Sequence, residues 1–143
     1  MSDLSTYESR TGKLTCKPEE VFDFVTDIRN FSQFVPDGSI SELEIGRESC
    51  SFNVPPLGNI KMDLSEKEPY NKVVYSGTAF TSNKFSLILS IKEDFAGKAE
   101  VIVKLAASLN PLLKMIAAQY IDRFLGTLVD EMEKFRGWKN ITK

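Results

Sequence analysis

Apolar residues recur along this chain with two different periods, and the points where the period changes mark out its elements. Residues 4–16 (LSTYESRTGKLTC) are rich in Thr, Ser and Tyr and predict a strand with a bulge near Gly12. Its alternation leaves open which residues point inward. Lys17-Pro18-Glu19-Glu20 then predicts a helix start, because proline is pre-organised for a first turn and carboxylates there complement the helix dipole. Val21, Phe22, Phe24, Val25 and Ile28 give that helix an apolar face. A second short helix or turn, Asn30 to Val35, presents Phe31, Phe34 and Val35 and stops before Pro36-Asp37-Gly38.

From there to residue 108 the period is two, which predicts an antiparallel meander with strands at 40–46, 48–54, 59–67, 72–81, 84–93 and 99–108. Pro55-Pro56-Leu57-Gly58-Asn59, Glu68-Pro69-Tyr70-Asn71, Ser82-Asn83 and Asp94-Phe95-Ala96-Gly97-Lys98 supply turn chemistry between them. Ile60, Met62 and Leu64 alternate with Lys61, Asp63 and Ser65, while Phe85, Leu87, Leu89 and Ile91 share one face. Such strands have one dry side.

Asn110 as N-cap and Pro111 at the first helical position open the last element. It is predicted to run to about Arg136 and stop at Gly137, roughly 26 residues and about 39 Å. Leu113, Ala117, Ile121, Phe124, Leu128, Met132 and Phe135 form one apolar stripe along it. Leu112, Met115, Ile116, Ala118 and Tyr120 make its first half apolar nearly all round, so that half needs cover on more than one side. The whole pattern predicts a single α+β domain over residues 1–143: a curved antiparallel sheet of about seven strands around a long C-terminal helix. The order is one strand, two short helices, six strands and the helix. A sheet curled around one helix leaves space between the two, where small-molecule sites occur.

Composition removes whole classes of chemistry. The chain has no histidine, which excludes Ser-His and Cys-His nucleophile pairs, a histidine base and every His-ligated metal site. Cys16 and Cys50 have no CxxC spacing, so no metal and no cofactor is expected. A net charge of -2 gives no field to gather phosphates, which excludes nucleic acid as a partner. GxGxxG, GxxxxGK and GxSxG are all absent. The Met-Ser-Asp-Leu start has neither a basic n-region nor an apolar h-region, and no apolar run reaches about 20 residues, so a cytoplasmic protein without stable membrane insertion is expected.

Pro18-Glu19-Glu20-Val21-Phe22-Asp23-Phe24-Val25-Thr26-Asp27, with Asn30-Phe31 and Pro36-Asp37, resembles the opening of the SRPBCC superfamily, the START-like or birch-pollen-allergen-like helix-grip fold that also contains polyketide cyclases and dehydrases. Leu109-Asn110-Pro111-Leu112-Leu113-Lys114-Met115, leading to Leu128-Val129-Asp130-Glu131-Met132, is similar to that family's C-terminal helix. The likeness covers essentially the whole chain and is greatest to the small stand-alone bacterial members. It implies the helix-grip fold and says little about activity, since the family hosts lipid carriers, cyclases, hydrolases, ring-hydroxylase subunits and co-chaperones. Ring-hydroxylase members carry a two-histidine iron site, and this chain has no histidine to offer one.

The expected binding wall is Phe52, Met62, Tyr75, Phe85, Leu87, Leu89, Val101, Val103 and Leu105 from the sheet, met by Tyr120, Phe124 and Leu128 from the helix. The competing reading of each is plain core. Tyr75 and Tyr120 are the expected polar handles, because a buried phenol needs a hydrogen-bond partner. Glu8 and Arg10 point into the cavity only if the first strand's parity runs through Thr6, Glu8 and Arg10; an outward surface position is the favoured alternative. Asp63, Glu66, Glu131 and Glu133 read as solvated surface. Phe31, Phe34, Val35 and Pro36 with Pro55, Pro56 and Leu57 form an apolar mouth or a local plug, and Trp138 reads as a hydrophobic clip after the helix. The function expected is binding of a small apolar or amphipathic molecule (lipid, isoprenoid, polyketide-like or aromatic) by a monomer or weak homodimer. Two alternatives stand beside it: a cyclase or dehydratase polarising its substrate through Tyr75, Tyr120 or Glu8, and a protein-interaction module.

Overall fold

A computed structural model describes residues 4–28, 30, 41–46, 49–54, 58–79, 83–109 and 111–138. Its elements are β1 (Leu4–Glu8), β2 (Gly12–Lys13), α1 (Pro18–Val25), β3 (Ser41–Ile45), β4 (Ser49–Val54), β5 (Gly58–Glu68), β6 (Lys72–Ala79), β7 (Asn83–Glu93), β8 (Ala99–Ser108) and α2 (Pro111–Lys134). The short helix expected from Asn30 to Val35 lies outside the described residues except for Asn30. β3 to β8 form an antiparallel meander, and β1 closes onto the last strand, giving the order β1-β8-β7-β6-β5-β4-β3. This is the α+β arrangement anticipated: an open antiparallel sheet with a long C-terminal helix on one face.

The expected first strand splits in two. Glu8 pairs with Lys104 and Gly12 with Val101, so one extra residue stands between them on the edge chain. Ser9 holds the interruption: its N–H donates to Val103 O at 2.8 Å, and its Oγ accepts from the Val103 N–H at 2.9 Å. The extra residue reverses the parity. Before it Thr6, Glu8 and Arg10 are exposed while Tyr7 packs on the core; after it Gly12, Leu14 and Cys16 are the buried positions. A side chain on Gly12 would put Cβ 2.6 Å from Val129 Cγ1, so the bare backbone there lets β2 lie against α2.

α1 begins with Pro18, and the Glu20 carboxylate reaches back to accept from the Lys17 N–H at 2.9 Å. Its apolar face, Val21, Phe22, Phe24 and Val25, is buried. The carbonyls freed at its end are met individually. Thr26 N–H donates to Phe22 O, Asn30 Nδ2 donates to Phe24 O at 2.8 Å, and the Tyr75 hydroxyl donates to Val25 O at 2.5 Å. α2 ends at Lys134, about two residues before the expected stop, and the Arg136 guanidinium donates to the freed Glu133 carbonyl at 2.7 Å. Trp138 then folds back into the core.

Arg10 and Glu133 staple the two ends of the chain together. The Arg10 guanidinium donates to both Glu133 carboxylate oxygens, at 3.0 and 2.7 Å, and to Asp130 Oδ1 at 2.5 Å, while the Lys13 N–H adds a bond to Glu133 at 2.9 Å. These donors, Arg10 foremost, pull the Glu133 carboxyl from an ordinary 4.5 down to about 2. Glu133 is therefore more than the solvated surface expected from its place on the helix. A carboxyl lowered in the folded state stabilises above its unfolded pKa, and that contribution is lost as the pH falls through the folded value. Glu133→Gln is expected to lower Tm at pH 7 by no more than about 3 °C, since solvent screens a part-exposed pair. The difference from wild type should shrink as the pH falls from 4.5 toward 2. Thermal unfolding followed by circular dichroism across that window checks it; a constant difference would contradict the staple.

Candidate ligand-binding interior

The inner face of the sheet is built from cross-strand rows. One row runs Tyr7, Leu105, Leu87, Tyr75, Leu64, and the next runs Ser5, Ala107, Phe85, Gly77, Met62, Cys50. α2 packs across β8, β1 and β2, and α1 lies over β6, β7 and β8. Phe52, Met62, Tyr75, Leu87, Leu89, Val101, Val103 and Leu128 are all buried. Phe85, Leu105 and Phe124 are only half-buried, packed against the edge of that core with Tyr7, Ile60, Leu64 and Leu113. Tyr120 is half-buried as well, with the Arg123 guanidinium 5.9 Å from its ring centroid.

The interior divides into a filled part and a looser part. Under α1, Val25, Tyr75, Leu87, Leu89, Val103, Leu128 and Met132 line a void of about 20 Å³. That is room for little more than one water, on apolar walls. Val25 belongs to this lining although the binding wall expected from sequence omits it, and Met132 joins it from the apolar stripe of α2. Phe52, Met62 and Val101 are core members away from the void. The looser part is where Phe85, Leu105, Tyr7, Leu113 and Phe124 face inward without being fully covered. The proposed mouth, Phe31, Phe34, Val35, Pro36, Pro55, Pro56 and Leu57, lies outside the described residues.

Polar chemistry inside is sparse and mostly committed. Burial raises the Tyr75 phenol well above its ordinary pKa, so it stays protonated and caps α1 through Val25. Its hydroxyl is a structural cap before it is a handle. Cys16 and Cys50 are free and buried, with desolvation pushing them up to about 12 and about 11, so both are thiols at neutral pH. Glu8 is exposed, its carboxylate 3.9 Å from Lys104 Nζ, and Arg10 is taken by Asp130 and Glu133. The outward alternative therefore holds for both, each with its own partner. Among the described residues no cluster of His, Cys, Asp or Glu is placed to hold a metal, and no helix is long and apolar enough to cross a membrane. On the outside of α2, Leu112, Met115 and Ile116 are 66, 80 and 43% exposed, so the back of its first turns has no cover among the described residues.

No family model and no curated protein matches the chain. Solved structures do. Norcoclaurine synthase from Thalictrum flavum matches with a TM-score of 0.74 over 94% of this chain and 94% of its own, at 9% identity. The same enzyme in complex with dopamine and hydroxybenzaldehyde gives 0.73 over 93% and 86%, also at 9%. The Mll3558 protein of Rhizobium loti gives 0.59 over 92% and 97%, at 14%. These likenesses establish the fold: the chain has the helix-grip fold, an open antiparallel sheet with a long C-terminal helix, that its opening and closing segments predict. At such identities they carry the architecture and nothing about activity.

Proposed function

We propose that this protein binds a small apolar or amphipathic molecule between the inner face of the sheet and α2. One observation carries the reading: Phe85, Leu105, Tyr7, Leu113 and Phe124 face the interior yet are only half-buried, an apolar wall without full cover. Removing such rings from water stabilises by about 25 cal/mol per Å² of apolar surface, which gives an apolar guest a driving force. The void under α1 is too small for any lipid or aromatic, so a guest occupies the looser part and displaces side chains there. The reading takes the protein as a cytoplasmic monomer or weak homodimer that needs no cofactor and no nucleic acid. Norcoclaurine synthase, whose structure has been solved with dopamine and hydroxybenzaldehyde, is an example of the same fold meeting aromatic molecules.

Native mass spectrometry of gently purified protein, alone and with a panel of fatty acids and aromatic probes, tests this. One-to-one adducts that weaken in Phe124→Ala are the expected result. A chain that carries nothing and takes up none of the probes would sink the proposal.

A further inference from the structure

One polar atom inside the sheet has no use in the fold. Ser5 Oγ is shut off from solvent and makes no hydrogen bond among the described residues. Ser5 stands on the inner face, because it shares parity with Tyr7, which packs on the core, and pairs with buried Ala107. It belongs to the row that continues through Ala107 to half-buried Phe85, next to the row of Tyr7 and Leu105. The apolar wall assigned above to the guest surrounds it on these sides, and α2 packs over β1.

Three other polar side chains on or beside this face have partners. Tyr75 donates to Val25 O, Asn30 donates to Phe24 O, and Ser9 Oγ donates to Arg10 O while accepting from Val103 N–H. A buried hydroxyl without a partner destabilises the fold, and natural structures carry few of them. Alanine would fit the same place on a strand without that penalty.

We propose that Ser5 is the specificity residue of the binding chamber, its hydroxyl hydrogen-bonding the neutral polar end of an amphipathic guest whose apolar body lies along Phe85, Leu105 and Phe124. This rests on the binding reading above. The polar end is neutral, a hydroxyl, phenol or carbonyl, because a single serine does not compensate the burial of a full charge. Hydroxyl geometry suits it, since Ser Oγ both donates and accepts and turns to match either.

The test uses two probes of nearly equal shape, 1-naphthol and naphthalene, titrated into wild type and Ser5→Ala, with thermal unfolding of the free proteins to confirm that the variant folds. The expected result is that wild type prefers 1-naphthol and that Ser5→Ala weakens 1-naphthol about three- to tenfold while leaving naphthalene unchanged. Free Ser5→Ala should melt about 3 °C higher than wild type, because it no longer buries an unpaired hydroxyl. Equal 1-naphthol affinity in the two proteins would overturn the assignment of Ser5 and leave the binding reading standing. Parallel weakening of both probes would also overturn it, as a packing effect. If wild type binds neither probe, the chamber itself is refuted and the role of Ser5 with it.

Discussion

Trp138→Ala is expected to cost about 3–5 kcal/mol of stability, the range for truncating a large buried aromatic. Trp138 is 2% exposed although it lies past the end of α2, in a stretch with no regular structure. Its ring meets Phe24 of α1 edge-on at 5.4 Å and Phe135 at 5.0 Å, and those two are themselves 5.0 Å apart. The three rings tie the first helix to the end of the last one. Each such pair adds about 0.5–1.5 kcal/mol beyond the area it buries, so truncating Trp138 loses two pairs and leaves a cavity under α1. Urea unfolding followed by circular dichroism checks this, since the variant no longer contains the chain's one tryptophan as a fluorophore. A fall in the midpoint with an unchanged slope is expected. A loss below about 1 kcal/mol would mean that the indole is not part of the core. Trp138→Phe should retain much of the packing and lie between the two.

The expected role of Trp138, a clip after the helix, understates this, and the reason is general. Periodicity reports which side of an element is dry, and that part of the fold is legible here. The alternation of Phe85, Leu87, Leu89 and Ile91 and the stripe from Leu113 to Phe135 place β7 and α2 within about two residues of where they lie. Pro18 and Pro111 open both helices as expected. Contacts between residues far apart in sequence leave no periodic trace. Arg10 reaches Glu133 across 123 positions, and Tyr75 reaches Val25 across 50, so neither the staple at Glu133 nor the cap that Tyr75 places on α1 is visible in the pattern.

The first strand shows a different limit. Its phase is unreadable because Glu8 and Gly12 stand on opposite sides of a one-residue insertion, and no single parity describes both halves. Thr6, Glu8 and Arg10 follow one phase while Leu14 and Cys16 follow the other. The size of the interior is illegible for a third reason. Inward orientation of Leu87, Leu89, Val103 and Leu128 is a matter of pattern, but whether they meet or leave room depends on the separation of sheet and helices. Here they close around about 20 Å³ beneath α1, and the incompletely covered wall lies toward Phe85 and Phe124.

The row that carries Phe85 continues through Gly77 of β6 to Met62 of β5, and Gly77 sets how closely β5 and β6 approach one another. Met62 pairs with Gly77, and a Cβ built on Gly77 would lie 1.7 Å from Lys61 O, 2.8 Å from Lys61 C and 3.0 Å from Met62 Cα. All three neighbours are backbone, so no rotamer change relieves the clash and the strands must part. Gly77 is thus needed for space, which is one of the recognised uses of glycine within a strand. Gly77→Ala is expected to destabilise by about 3 kcal/mol, the upper part of the range for overpacking because the obstruction is main chain. Gly46→Ala is the matched control: its nearest neighbour would be Ser49 Oγ at 3.6 Å, an ordinary contact, and its effect should stay within about 0.5 kcal/mol. Urea midpoints of the two variants give the comparison, and equal midpoints would refute the close approach. Parting β5 from β6 also moves Met62 away from Phe85 in the row they share through Gly77, so Gly77→Ala should weaken uptake of 1-naphthol and naphthalene alike, whereas Ser5→Ala separates them.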